Sequence, residues 1–317
     1  MDIVCLGILI ADIFASPIDS MPAAGELRPV DRYLMSAGGC ASNTAACLRR
    51  LGHKVSIIGK VGTDILGDFV VKDLERLEVD TSAVRRSATH PTSNTYIINV
   101  RGEDRRYLHC VGANADFHLS DVDFKTLDGR RALYVGGYMM MPGFGPQALA
   151  SLLQEAKARG LMTVVDVVIG GGTRPGWEQI EGVLPWTDLF LPNNDEAGLL
   201  TGKEDPLEQA EALGRLNPKC TVVITLGRRG ALVRRENKTL SAPAYQVPSI
   251  DESGAGDAFA AGFLTGMLEN WTLEKTLSFA SAVGASCTRA LGCTDGVFRF
   301  DEAMDFIAKN KLDFALR

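Results

Sequence analysis

Short apolar runs alternate with helical patterns along most of this chain, and that alternation constrains the fold more than any other feature. Runs at residues 3–10, 55–59, 133–136, 162–168, 189–191 and 221–226 read as strands. Strands separated by helix-length segments imply βαβ units, hence an α/β fold with a mostly parallel central sheet flanked by helices. Between residues 147 and 159, Leu149, Leu152, Leu153 and Ala156 recur at i, i+3, i+4 and i+7, one apolar face that suits packing on such a sheet. Two segments break the rhythm. Residues 27–35, and 95–110 with a turn at Gly102-Glu103, read as antiparallel strands. They predict a small β-sheet lid drawn from about residues 12–36 and 93–112. No internal repeat or long linker interrupts the chain, so residues 1–317 are expected to form a single domain with the lid as a subdomain.

Composition narrows the partners. The 33 basic residues against 39 acidic give a formal charge of −6 without a basic run, which argues against nucleic acid and membrane surfaces. Seven scattered cysteines without a C-x-x-C pair, and four histidines without ligand spacing, point away from zinc and disulfides and toward reduced thiols in a cytoplasmic protein. Any metal is then expected to be held through oxygen. The apolar start of the chain has no positive leader and reads as a first strand. The uncharged stretch 132–154 is long enough to span a bilayer, but Gly136, Gly137, Pro142, Gly143, Gly145 and Pro146 break it into strand, loop and helix.

The chemistry concentrates in residues 249–266, where Gly254, Ala255 and Gly256 precede Asp257 and a helical pattern follows. A turn of small residues opening a helix presents backbone N–H groups and the positive end of the helix dipole, a combination that favours a phosphate. Asp257 at that helix start stands where a phosphoryl group and an acceptor hydroxyl could meet; a plain helix cap is its alternative role. A cap needs no glycines, whereas close approach of backbone to a ligand does. Phe259 takes the place of the third glycine of a dinucleotide fingerprint, and no G-x-x-x-x-G-K-[ST] is present. In residues 35–52, Gly38-Gly39 precedes a helix expected near Asn43, whose amide offers both donors and an acceptor; a turn with a cap is the plainer reading there.

In order and content these motifs resemble the ribokinase-like (PfkB) carbohydrate kinase family. The likeness runs from Gly7 and Asp12 through Gly38, Gly39 and Asn43 to the DESGAGD segment, with an N-x-x-E-like Asn193 to Glu196 and the Val223 to Gly227 strand and loop between them. The resemblance implies an ATP-dependent phosphotransferase with an alcohol acceptor. Asp257 would be the catalytic base, and Gly254, Ala255 and Gly256 the anion hole. Asp12, Gly38, Gly39 and Asn43 would hold the sugar. Asn193, Thr225, Gly227 and Gly230 would line the ATP site, where Arg228 or Arg229 could reach a phosphate. Glu196 would organise Mg²⁺, through water, and Asp251 matches a residue of a K⁺ site found in some members.

Departures from the family pattern bear on the acceptor. Glu252 stands where a small Thr or Val is usual, Cys40 where some relatives place lysine or alanine, and the segment after Asp166 lacks a D-x-N pattern. Gly112-Ala113-Asn114 resembles ribokinase and fructokinase relatives, which favours a free sugar or sugar acid over a nucleoside. A catalytically silent sugar-binding or regulatory protein is the rival from another class. Exposed lid strands make a homodimer plausible.

Overall fold

The computed structural model describes residues 2–103, 106–236 and 238–316. Its elements in chain order are β1 Ile3–Gly7, β2 Ile10–Ala15, β3 Tyr33–Gly38, α1 Cys40–Arg50, β4 Val55–Gly62, α2 Ile65–Arg76, β5 Asp80–Ser87, β6 Asn94–Ile98 and β7 Arg106–Cys110. There follow β8 Ala132–Tyr138, α3 Pro146–Ala158, β9 Met162–Val167, β10 Leu189–Phe190, α4 Asn194–Thr201, α5 Pro206–Leu216 and β11 Thr221–Thr225. The chain ends through β12 Ala231–Arg235, β13 Lys238–Ala242, α6 Ala255–Leu268, α7 Leu273–Cys287, α8 Phe300–Lys309 and β14 Ala315–Leu316.

Ten strands form the main sheet in the order β14-β13-β12-β11-β10-β9-β8-β1-β4-β5. From β11 to β5 every pairing is parallel, and β12 to β14 add antiparallel strands at one edge. Parallel strands covered on both faces read as continuous apolar runs, and β1, β4 and β8 are buried at every residue. The two faces carry separate cores. One packs α1, α6 and α7 against Ile3, Cys5, Tyr134 and Val223; the other packs α3 and α5 against Val4, Leu6, Leu133 and Ile224. In α3 the buried residues are Leu149, Leu152, Leu153 and Ala156, the face expected from periodicity. Among the described residues no helix is long and apolar enough to cross a membrane.

The lid is a four-stranded sheet in the order β3-β2-β6-β7. Two antiparallel pairs, β2/β3 and β6/β7, are joined by a parallel β2/β6 pair, so the all-antiparallel expectation is corrected at its centre. The apolar run 3–10 is not one strand. It ends in the main sheet at Gly7 and resumes in the lid at Ile10. Gly7 has φ 148, and a Cβ there would lie 1.9 Å from the Gly136 carbonyl oxygen, so the backbone turns where only glycine fits. The expected strand at 27–35 reduces to β3, which starts at Tyr33; residues 26–30 have no regular structure.

Where the chain passes between sheet and lid, side chains stitch the crossings together. The Asn114 amide accepts from Leu9 N–H and donates to Leu9 C=O, both at 3.1 Å, as a neighbouring strand would. Ala11 N–H donates to Ser93 C=O at 2.9 Å, and the Ser93 hydroxyl donates to Cys110 C=O at 2.8 Å. Lys60, on β4, donates to Asp116 C=O at 2.7 Å and pairs with the Asp121 carboxylate at 3.1 Å, fixing the segment that leaves the lid.

Candidate active site

Helix α6 starts at a left-handed Gly254, φ 75, which occupies the N-cap without any side-chain cap bond. A Cβ on Gly254 would lie 2.3 Å from the Cys293 carbonyl oxygen, so both backbone angle and space require glycine. Asp257 is the third helical residue, and its carboxylate does not cap the helix: Asn43 Nδ2 donates to its Oδ2 at 2.8 Å. Burial raises the Asp257 pKa above the ordinary carboxylate value, while hydrogen bonds from Asn43 and Cys40 oppose the rise.

Asn43 comes from α1, which starts at Cys40, three residues before the expected start. Gly39 precedes it with φ 88, and a Cβ there would meet the Ile8 carbonyl oxygen at 2.5 Å. Asn43 is only 5% exposed, and its Oδ1 has no hydrogen-bond partner among the described residues. Asp12 rises from β2 and is also buried. Its pKa is raised to about 7, first by desolvation and further by Asp257, against hydrogen bonds from Thr95 and Cys293. A Cβ on Gly38 would sit 1.8 Å from Asp12 Oδ2, so Gly38 is the space that the Asp12 carboxylate occupies.

On the other side of α6 lies a cleft of about 410 Å³. Asn193, Thr225, Gly227 and Gly230 all line it, together with Ala255 and Gly256. Gly230 has φ 101 and approaches the Ala242 carbonyl so closely that a Cβ would come within 2.0 Å of its oxygen. Arg228 reaches the mouth and pairs with Glu252 at 2.5 Å, which answers where the unusual glutamate's charge goes. Arg229 is not part of the lining.

Glu196 lies behind this wall. It forms a capping box with Asn193: Asn193 N–H donates to Glu196 Oε2 at 2.8 Å, and Glu196 N–H to Asn193 Oδ1 at 2.9 Å. Burial raises the Glu196 pKa to about 7 against backbone donors from Asn193 and Ile169. Asp251 is buried with Oδ1 accepting from Ser253 N–H at 3.0 Å and Oδ2 from Gly292 N–H at 3.1 Å, so it ties two loops beside the helix start.

Several lining groups were not anticipated from sequence. Residues 244–247 form one wall of the cleft, and Ser281, Gly284, Ala285 and Thr288 of the α7 end form another. The latter recur at i, i+3, i+4 and i+7 as small residues, a signal that marks a helix face approached closely; a Cβ on Gly284 would lie 3.1 Å from Ala255 C=O. Asp166, at the end of β9, accepts from the buried Tyr134 hydroxyl at 2.6 Å. Its carboxylate, the Asp257 carboxylate and Cys40 Sγ each offer an atom within 4.8 Å of the others.

A glycine-opened helix that borders a cleft and carries an aspartate held by the buried Asn43 is the arrangement expected of a small-molecule kinase. The pfkB family carbohydrate kinase model matches residues 1–298, and the chain belongs to that family. It is 28% identical over 311 residues to ribokinase of Haemophilus influenzae, covering 95% of this chain and 97% of the relative. It is 26% identical over 327 residues to 5-dehydro-2-deoxygluconokinase of Clostridium perfringens, covering 99% and 94%. The structure of Arabidopsis thaliana ribokinase complexed with ribose and ATP superposes with a TM-score of 0.82 at 23% identity, covering 96% of this chain and 98% of that one. The fold is accordingly ribokinase-like, and the protein is an ATP-dependent carbohydrate kinase.

Proposed function

We propose that this kinase transfers the γ-phosphoryl group of ATP to a hydroxyl of a small free sugar or sugar acid, with Asp257 as general base. The observation that carries this reading is the place of Asp257: one helical turn joins it to Ala255 and Gly256 in the 410 Å³ cleft, Asn43 holds its carboxylate, and its charge is near enough to the buried Asp12 to raise that group's pKa. The acceptor hydroxyl gives its proton to the Asp257 carboxylate as its oxygen bonds to the γ-phosphorus, the bond to the β-phosphate oxygen breaks, and ADP leaves. The loose transition state spreads negative charge over the equatorial oxygens, and first-turn N–H groups around Gly254, Ala255 and Gly256 stabilise it. Asp12 and the unpartnered Asn43 Oδ1 accept acceptor hydroxyls, with Gly38 and Gly39 giving them room. Asn193, Thr225, Gly227 and Gly230 hold the nucleotide, and Arg228 exchanges Glu252 for a phosphate. Both relatives named for a sugar or sugar-acid substrate favour that acceptor class over a nucleoside. A coupled ADP-release screen over pentoses, hexoses, keto-sugar acids and nucleosides, with and without K⁺, tests it. Turnover confined to nucleosides would overturn the acceptor class, and equal rates with and without K⁺ would remove Asp251 from a K⁺ role.

Mg²⁺ fits the oxygen-only donors of Asn193 and Glu196, and when bound with ATP it supplies charge neutralisation at the phosphates. Two backbone donors hold the Glu196 carboxylate, and Glu196 is not among the residues lining the cleft, which supports an action on Mg²⁺ through water. Glu196→Gln is expected to raise the Mg²⁺ concentration for half-maximal rate, read from initial rates at fixed ATP; an unchanged Mg²⁺ dependence would remove Glu196 from the site.

We further propose a homodimer through the lid. Met35, Ile13, Tyr96 and Leu108 stand in register across its four strands, and Met35, Tyr96 and Leu108 are exposed at 39%, 49% and 65%. Contiguous exposed apolar side chains of this kind mark an interaction surface. Leu108→Glu is expected to halve the mass measured by light scattering; a wild-type protein that is monomeric at assay concentration would end the proposal.

A further inference from the structure

The cluster of Cys40, Asp166 and Asp257 has a chemistry that phosphoryl transfer does not use. We propose that Cys40 Sγ and the Asp166 and Asp257 carboxylates form a binding site for a thiophilic divalent cation such as Zn²⁺, and that its occupation blocks the kinase by capturing the general base. The inhibitory half of this proposal rests on Asp257 being that base; the binding half does not. The three ligand atoms lie within 4.8 Å of one another on α1, β9 and α6. A tetrahedral zinc with Zn–S of about 2.3 Å and Zn–O of about 2.0–2.2 Å needs ligand atoms about 3.3–3.6 Å apart, a contraction within reach of side-chain torsions. The Asn43 amide is tied to Asp257 through Nδ2, and its buried Oδ1 has no hydrogen-bond partner among the described residues, so a neutral oxygen donor lies within one amide group of a cluster member.

The electrostatics of the cluster favour a cation. Burial first, and then the neighbouring carboxylates, hold the Cys40 thiol above its usual range, and burial followed by Asp257 does the same to Asp166. A divalent cation replaces the thiol proton, which passes to buffer, and turns mutual repulsion into shared attraction. The thiolate selects zinc or cobalt over magnesium, which prefers six oxygen ligands in octahedral geometry. The same chain therefore separates an activating hard cation from an inhibiting soft one by one sulfur atom.

Titrating the full-length protein with Co²⁺, without nucleotide or sugar, tests binding independently of catalysis. The wild type is expected to take one Co²⁺ per chain with a thiolate-to-cobalt charge-transfer absorption band. Cys40→Ala should abolish the band, and Cys110→Ser, which removes an exposed thiol, should keep it. Asp166→Asn, which leaves the thiol in place but replaces a carboxylate ligand by an amide, is expected to weaken Co²⁺ binding by at least the roughly 10- to 100-fold that loss of an outer-shell partner alone costs. In ADP-release assays corrected for zinc held by ATP, Cys40→Ala should need on the order of 10- to 100-fold more Zn²⁺ for half-inhibition, each variant normalised to its own zinc-free rate. A wild type without the band, or a band that survives Cys40→Ala, overturns the site. A band lost in Cys40→Ala together with a wild-type rate indifferent to Zn²⁺ keeps the site and overturns Asp257 as the base.

Discussion

Asp257→Asn is expected to lower kcat by about 10² to 10⁴ while ATP and sugar still bind, because asparagine keeps the size of the side chain and removes the oxygen that takes the hydroxyl proton. The surroundings sharpen the expectation. Gly254 holds the N-cap position, so the substitution takes no cap from α6, and the melting temperature should change little. Asn43 Nδ2 loses a charged acceptor but can still find the new amide oxygen, a change of the order of 1 kcal/mol in stability. Measuring kcat and thermal unfolding on one preparation separates a lost base from a weakened helix. A folded variant with wild-type turnover would end the assignment of Asp257 as the general base.

At a pH well above 7, where the Asp12 carboxylate is ionised, Asp12→Ala should weaken acceptor binding by about 1.5 to 3 kcal/mol, the range for hydrogen bonds to a charged group, with ATP affinity unchanged. Gly38→Ala should reproduce the same defect without touching the carboxylate, because the new methyl would stand 1.8 Å from Asp12 Oδ2 and must push it aside. The double variant carries the test. With Asp12 already truncated the three atoms nearest the methyl are gone, so adding Gly38→Ala should cost little further, a strongly non-additive pair. Calorimetric titration of sugar and of ATP against the four proteins measures this. Additive losses would mean that Gly38 acts on the acceptor through its own backbone and not through Asp12.

The βα rhythm was legible because parallel strands with two covered faces leave unbroken apolar runs, as in β4 and β8. The lid was harder to read. β3 is mostly exposed or half-buried at Tyr33 to Ser36, and β7 is exposed throughout, so neither carries a clean alternation. The junction of β1 and β2 was hidden because Ile8, Leu9 and Ile10 are apolar for reasons of two different sheets, and only the geometry at Gly7 divides them. Edge strands β12 and β13 went unread because charged residues interrupt them at Arg234, Arg235 and Lys238. In the site, glycines and acids at helix starts were visible as motifs. The contribution of Asp166 was not, since an aspartate at the end of an apolar strand signals nothing until Tyr134 and Cys40 are seen beside it.

The hydrogen bonds that Asn114 makes to Leu9 have a consequence for anyone who would exchange lids between relatives. A lid is encoded in two separate stretches of the chain, yet Leu9 with Asn114 and Ala11 with Ser93 fasten the start of the first stretch to the second, and Ser93 with Cys110 closes the second on itself. The transplantable unit is therefore defined by its seam and not by its strands. A graft that brings β2, β3, β6 and β7 but keeps the host's residues at 93 and 114 imports the cover without its binding, whereas one that carries those two positions along inherits the whole cassette.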